Sequence, residues 1–115
     1  MAVMTRLYHS DGLVELSLYP GEPRVRVADD PDERLWPYYL YWDEAKLERG
    51  EREFVGIEVF DVSDITADWL AALEQLDLPR IDVPEAGLQD VSVADALRWA
   101  KAHFPSRLPQ PAPRH

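Results

Sequence analysis

Cysteine and asparagine do not occur in this 115-residue chain, and lysine occurs only twice. Without cysteine there can be no disulfide, thiolate metal site or cysteine nucleophile, so stability has to come from packing. The five glycines, at 12, 21, 50, 56 and 87, never cluster, which excludes a glycine-rich phosphate loop. Long apolar runs are also missing. The longest, Tyr38–Trp42 and Trp69–Leu73, fall far short of a membrane span, and Met1–Arg6 lacks the apolar stretch of a secretion signal. The expectation is a cytoplasmic protein that does not enter a membrane.

Positive charge is scarce as well. Twenty-two acidic residues face twelve basic ones, a net charge of −10 that repels phosphate backbones and argues against non-specific nucleic-acid binding. The imbalance is uneven: residues 1–95 carry about −14 and residues 96–115 about +4. Cations that offset the dipole of a final helix account for part of that.

With 46% hydrophobic residues, the chain can bury one core. Asp11-Gly12 suits the two positive-φ positions of a type I′ turn between Val3–Ser10 and Leu13–Tyr19. Such a turn pairs His9 with Val14, Leu7 with Leu16 and Thr5 with Leu18 on one face. Ser10–Leu13, Tyr8–Glu15 and Arg6–Ser17 pair on the other. Pro20–Pro23 reads as a second turn and Arg24–Val27 as a half-buried strand. Asp29–Glu33 is a charged loop leading to an aromatic strand, Trp36–Asp43. The stretch Asp43–Gly50 is either a short helical turn or a loop before the strand Glu53–Asp61.

From Ser63 the apolar period changes to 3.6, predicting a helix capped by Ser63 or Asp64 with Ile65, Trp69, Leu70, Leu73 and Leu76 on one stripe. Leu78–Pro84 is extended, a loop or an edge strand. Ser92 caps a last helix with Asp95 in capping-box position and Val93, Leu97, Ala100 and Phe104 buried. Strands followed by helices predict an α+β domain over residues 1–105: an antiparallel β-meander of four to five strands packed by two C-terminal helices. Residues 106–115 form a proline-rich tail.

Phe54–Ser63 resembles the closing strand of a small, widespread family of uncharacterised bacterial domains, in which a β-meander ends in Gly-Ile-Glu, apolar residues and a small polar helix cap. Tyr8–Leu18 is similar to that family's opening segment, so the resemblance spans roughly residues 5–64. The chain departs from it in carrying His9-Ser10-Asp11-Gly12 in place of an aspartate-rich turn, and in the long Asp29–Glu53 region. The resemblance implies a fold and pairing of protomers, and no chemistry.

No catalytic, cofactor or metal site emerges from the residue pattern. His9, Ser10 and Asp11 are the residue types of a hydrolase triad, but neighbours in one tight hairpin cannot converge on a substrate. His103 and His115 do not form a metal cluster. Asp29, Asp30, Asp32 and Glu33 lack the spacing of a calcium loop and read as solvated. The informative stretch is aromatic. Trp36, Tyr38, Leu40 and Trp42 fall on one side of a strand and Tyr39 and Tyr41 on the other, so one side enters the core and the other is left for cover, a second protomer or a ligand. Glu58 shares a strand face with Phe54 and Phe60, opposite Val55, Ile57 and Val59. It is either an exposed partner of Arg24 or Arg26, or a buried acid–base group with a raised pKa.

The candidate binding or interface residues are therefore Trp36, Tyr38, Tyr39, Tyr41, Trp42 and Glu58. The reading favoured is a non-enzymatic acidic binding or regulatory module that forms a homodimer or engages a basic protein partner. The alternative is a small hydrolase or isomerase using Glu58 or an aspartate as general base in an aromatic pocket.

Overall fold

The computed structural model describes residues 2–18, 24–26, 38–51 and 53–107. The turn expected at Pro20–Pro23, the acidic loop Asp29–Glu33 and Trp36 lie outside those residues.

The Asp11-Gly12 turn forms as its residue types dictate, with φ of 53° and 90°. It joins β2 (Arg6–Ser10) to β3 (Leu13–Ser17) in the expected register, from Arg6–Ser17 to Ser10–Leu13. Beyond β3 the strand order departs from a simple meander. β4 (Arg24–Arg26) and β5 (Tyr38–Asp43) pair with each other, and β6 (Phe54–Val59) inserts between β5 and β3, giving the antiparallel order β2-β3-β6-β5-β4. The interval between β5 and β6 is helical: α1 (Glu44–Glu48) starts where Asp43 Oδ1 accepts the Lys46 N–H, and Gly50 follows at φ +78°.

A second sheet was not expected. β1 (Val3–Met4) runs parallel to β7 (Ile81–Val83), which also pairs antiparallel with β8 (Leu88–Val91). Leu78–Pro84 therefore contains the central strand of a three-stranded sheet rather than an edge strand. Thr5, buried between β1 and β2, ties the two sheets: both its N–H and its hydroxyl donate to the Asp82 carbonyl.

The period-3.6 segment begins later than its apolar stripe suggests. Asp61 caps a 3-10 turn at Val62–Asp64, and α2 (Ala67–Glu74) starts only after Thr66, whose hydroxyl accepts the Trp69 N–H. Helix α3 (Val93–His103) is capped by Ser92 as expected, through the Asp95 N–H. Truncating either cap, Thr66→Ala or Ser92→Ala, is expected to cost about 1 kcal/mol each in chemical denaturation.

The architecture is α+β, with both C-terminal helices joining one core. Val14, Leu16, Ile57 and Val59 from the large sheet meet Leu70 and Leu73 of α2 and Leu97 and Ala100 of α3, while Ile81 and Val83 close the cluster from the small sheet. Each fully buried Leu or Ile here contributes about 1.5–3 kcal/mol. Among the described residues, no helix is long and apolar enough to cross a membrane.

Candidate functional site

Of the residues expected to form an aromatic interface, Trp36 lies outside the described residues, and Tyr38, Tyr39, Tyr41 and Trp42 fall on β5. Trp42 packs against the core, edge-on to Phe54 with ring centroids 6.4 Å apart. The side of β5 that carries Trp42 is therefore the one that turns to the core. Tyr41 is half-buried at the Gly56 rung, Tyr39 stands at the Glu58 rung and Tyr38 at the Val59 rung. Glu58 moves away from its expected company. A bulge between the Tyr41 and Trp42 rungs makes Val55 the extra residue of β6, so Phe54 joins Ile57 and Val59 in the core cluster instead of sharing a face with Glu58. In register Glu58 lies between Glu15 and Tyr39, and β5 separates it from β4, which carries Arg24 and Arg26.

Among the described residues, the most enclosed carboxylate is one that sequence reasoning passed over. Asp61, 2% exposed, accepts the Ser63 N–H at 2.9 Å and the Ser106 hydroxyl at 2.5 Å on Oδ2, and the Arg107 N–H at 2.9 Å on Oδ1. Gly12 packs on the same group, and its carbonyl accepts the Val62 N–H. A Cβ at Gly12 would lie 2.2 Å from Asp61 Oδ1. Asp61 thus ties the hairpin turn, the end of β6 and the chain after α3. Burial opposes its ionisation, but the bonds from Ser106, Ser63 and Arg107 outweigh burial and lower its pKa from 3.8 to about 2. A carboxylate this acidic stays ionised near neutrality and cannot act as a general acid. The available signal was Asp61-Val62-Ser63, an aspartate placed to accept the N–H two residues on. Burial, followed by repulsion from Asp61, raises the pKa of neighbouring Asp64 against the pull of Arg107.

The two described histidines, His9 and His103, serve packing. His9 stacks on Phe104 at 3.9 Å, and His103 stacks on Trp99 at 4.1 Å while its Nδ1 lies 2.8 Å from the Trp99 carbonyl. Among the described residues, no three His, Asp or Glu side chains gather as a metal site.

Shallow clefts on the surface include the following pair. One, of about 330 Å³, lies beside the Asp61 knot and is lined by Val62, Ser63, Lys101, Phe104 and Ser106. Its lysine is engaged, with Nζ 2.5 Å from the Ile65 carbonyl. The other, of about 290 Å³, opens where β1, β3 and β6 approach the α2–β7 connection. Val3, Leu18, Phe54, Leu78 and Pro79 form its apolar part, and Glu53 and Asp77 its charged part. Glu58 lines neither cleft.

No family model, curated protein or solved structure matches this chain. What the surface can do follows from its charge.

That charge is concentrated in one stretch. Residues 53–97 hold eleven carboxylates and a single cation, Arg80. Several of these acids have internal duties: Asp90 pairs with Arg80 at 2.8 Å, Glu74 and Asp95 share Arg98, and Glu85 accepts the Leu7 N–H on the edge strand β2. Asp68 and Asp77 are exposed, with no hydrogen-bond or ion-pair partner among the described residues.

Proposed function

We propose that this chain is a non-enzymatic binding module whose acidic surface, built by residues 53–97, engages a basic protein partner. The observation that carries the reading is the exposed pair Asp68 and Asp77 in a stretch with eleven carboxylates and one cation. Complementary charge accelerates encounter and rejects partners of like sign.

Binding of a fluorescent hexa-arginine peptide to the full chain, followed by anisotropy, tests this. Affinity should fall as salt is added, since screening acts over about 10 Å at 0.1 M ionic strength. It should also fall more in the double variant Asp68→Asn/Asp77→Asn than in Glu48→Gln/Glu51→Gln, which removes equal charge from the α1 region. Equal loss in the two variants would refer the binding to net charge alone and contradict a defined surface.

A further inference from the structure

The cleft beside Asp77 has a chemistry more specific than its acidity. Its volume of about 290 Å³ lies at the lower limit of ligand-sized cavities, about 300–1,000 Å³, and suits one side chain rather than a folded element. Val3 and Leu78, half-buried, and Leu18 and Phe54, almost fully buried, give it apolar walls and floor. Among the described residues, Glu53 and Asp77 are its charged lining groups, and no basic residue lines it. An alkyl stem ending in a cation matches both halves of that lining, because lysine and arginine bury their methylenes against apolar surface while the head group meets carboxylate.

We infer that this cleft receives one arginine or lysine side chain of the basic partner, with the stem along Leu78 and Val3 and the cation at Asp77. The inference rests on the acidic-surface reading and narrows it to one anchoring position. Glu53 is the secondary contact, because Lys46 already forms an ion pair with it. Lys46 is a resident cation on Glu53, its pKa raised by the hydrogen bond to Glu53, against desolvation, and by the charges of Glu53, Asp43 and Glu51. It competes with an incoming cation for Glu53. Removing it should therefore strengthen binding, by freeing Glu53 as well as by taking away one positive charge.

The arrangement predicts a ranking that bulk charge does not. Asp68 and Asp77 are both exposed carboxylates of unit charge in one acidic stretch, but only Asp77 lines the cleft. The test is anisotropy with the same hexa-arginine peptide on the full chain and three single variants, each at an exposed or half-exposed side chain whose change is tolerated by the fold. Asp77→Asn should weaken binding about fivefold, Asp68→Asn by less than about twofold, and Lys46→Gln should tighten it about twofold. If Asp77→Asn and Asp68→Asn weaken binding equally, or Lys46→Gln binds no tighter than the wild type, the cleft inference is overturned while the surface reading stands. If the wild-type chain does not bind the peptide at low salt, both are overturned.

Discussion

Asp61→Ala should destabilise the fold by about 3 kcal/mol, because it strands the donors that converge on one enclosed carboxylate. The Ser63 N–H, the Ser106 hydroxyl and the Arg107 N–H all lose their acceptor, and the chain after α3 loses its attachment to the hairpin turn. Asp61→Asn keeps one oxygen and should fall between alanine and wild type. The same group sets an acid limb. Its folded pKa is below its unfolded value, so its contribution is fully present above pH 3.8 and is lost as pH falls from 3.8 through about 2. That displacement corresponds to about 2 kcal/mol. Asp64 acts with the opposite sign: the folded state holds its proton more tightly than the unfolded chain does, so acidification removes a small cost. Urea denaturation across this range should show wild type losing stability toward Asp61→Asn, whose own profile lacks the Asp61 component. Parallel profiles would refute the assignment.

Gly12→Ala is expected to cost at least about 3 kcal/mol, for two separable reasons. Its φ of +90° lies in a region that costs an L-residue about 1–2 kcal/mol. The added Cβ would also stand 2.2 Å from Asp61 Oδ1 and 2.8 Å from the Arg107 nitrogen, so the knot itself must open. The second cost is shared with Asp61→Ala. A double-mutant cycle should therefore give less than the sum of the singles, whereas additive costs would mean that the turn and the carboxylate act independently.

Legibility from sequence followed the range of the forces involved. The β2–β3 register was readable because the turn type and the period-2 pattern are both local and agree. The insertion of β6 between β3 and β5 was not, since nothing in an antiparallel strand names its neighbour. β8 was missed because Leu88-Gln89-Asp90-Val91 is short and lacks alternation. The bulge at Val55 was invisible in a run whose alternation looked regular, and it moved Phe54 into the core and changed the company of Glu58. At the start of α2, Ser63 and Asp64 are both good caps, but Asp61 spends the segment on a 3-10 turn and Thr66 becomes the cap.

The acidic cleft was equally hidden. Val3, Leu18, Phe54 and Asp77 are far apart in the chain and meet where the two sheets approach each other. Composition carries the sign of the proposed partner, and topology the place proposed for one of its side chains.

Amide chemical-shift mapping of the isotope-labelled chain with hexa-arginine peptide at low salt tests the central claim most directly. The account predicts perturbations concentrated on Val3, Glu53, Phe54 and Asp68–Leu78 that fade as salt is added. Perturbations centred instead on Tyr8, Glu15 and Glu58 of the large sheet's other face, or spread evenly over the surface, would contradict it.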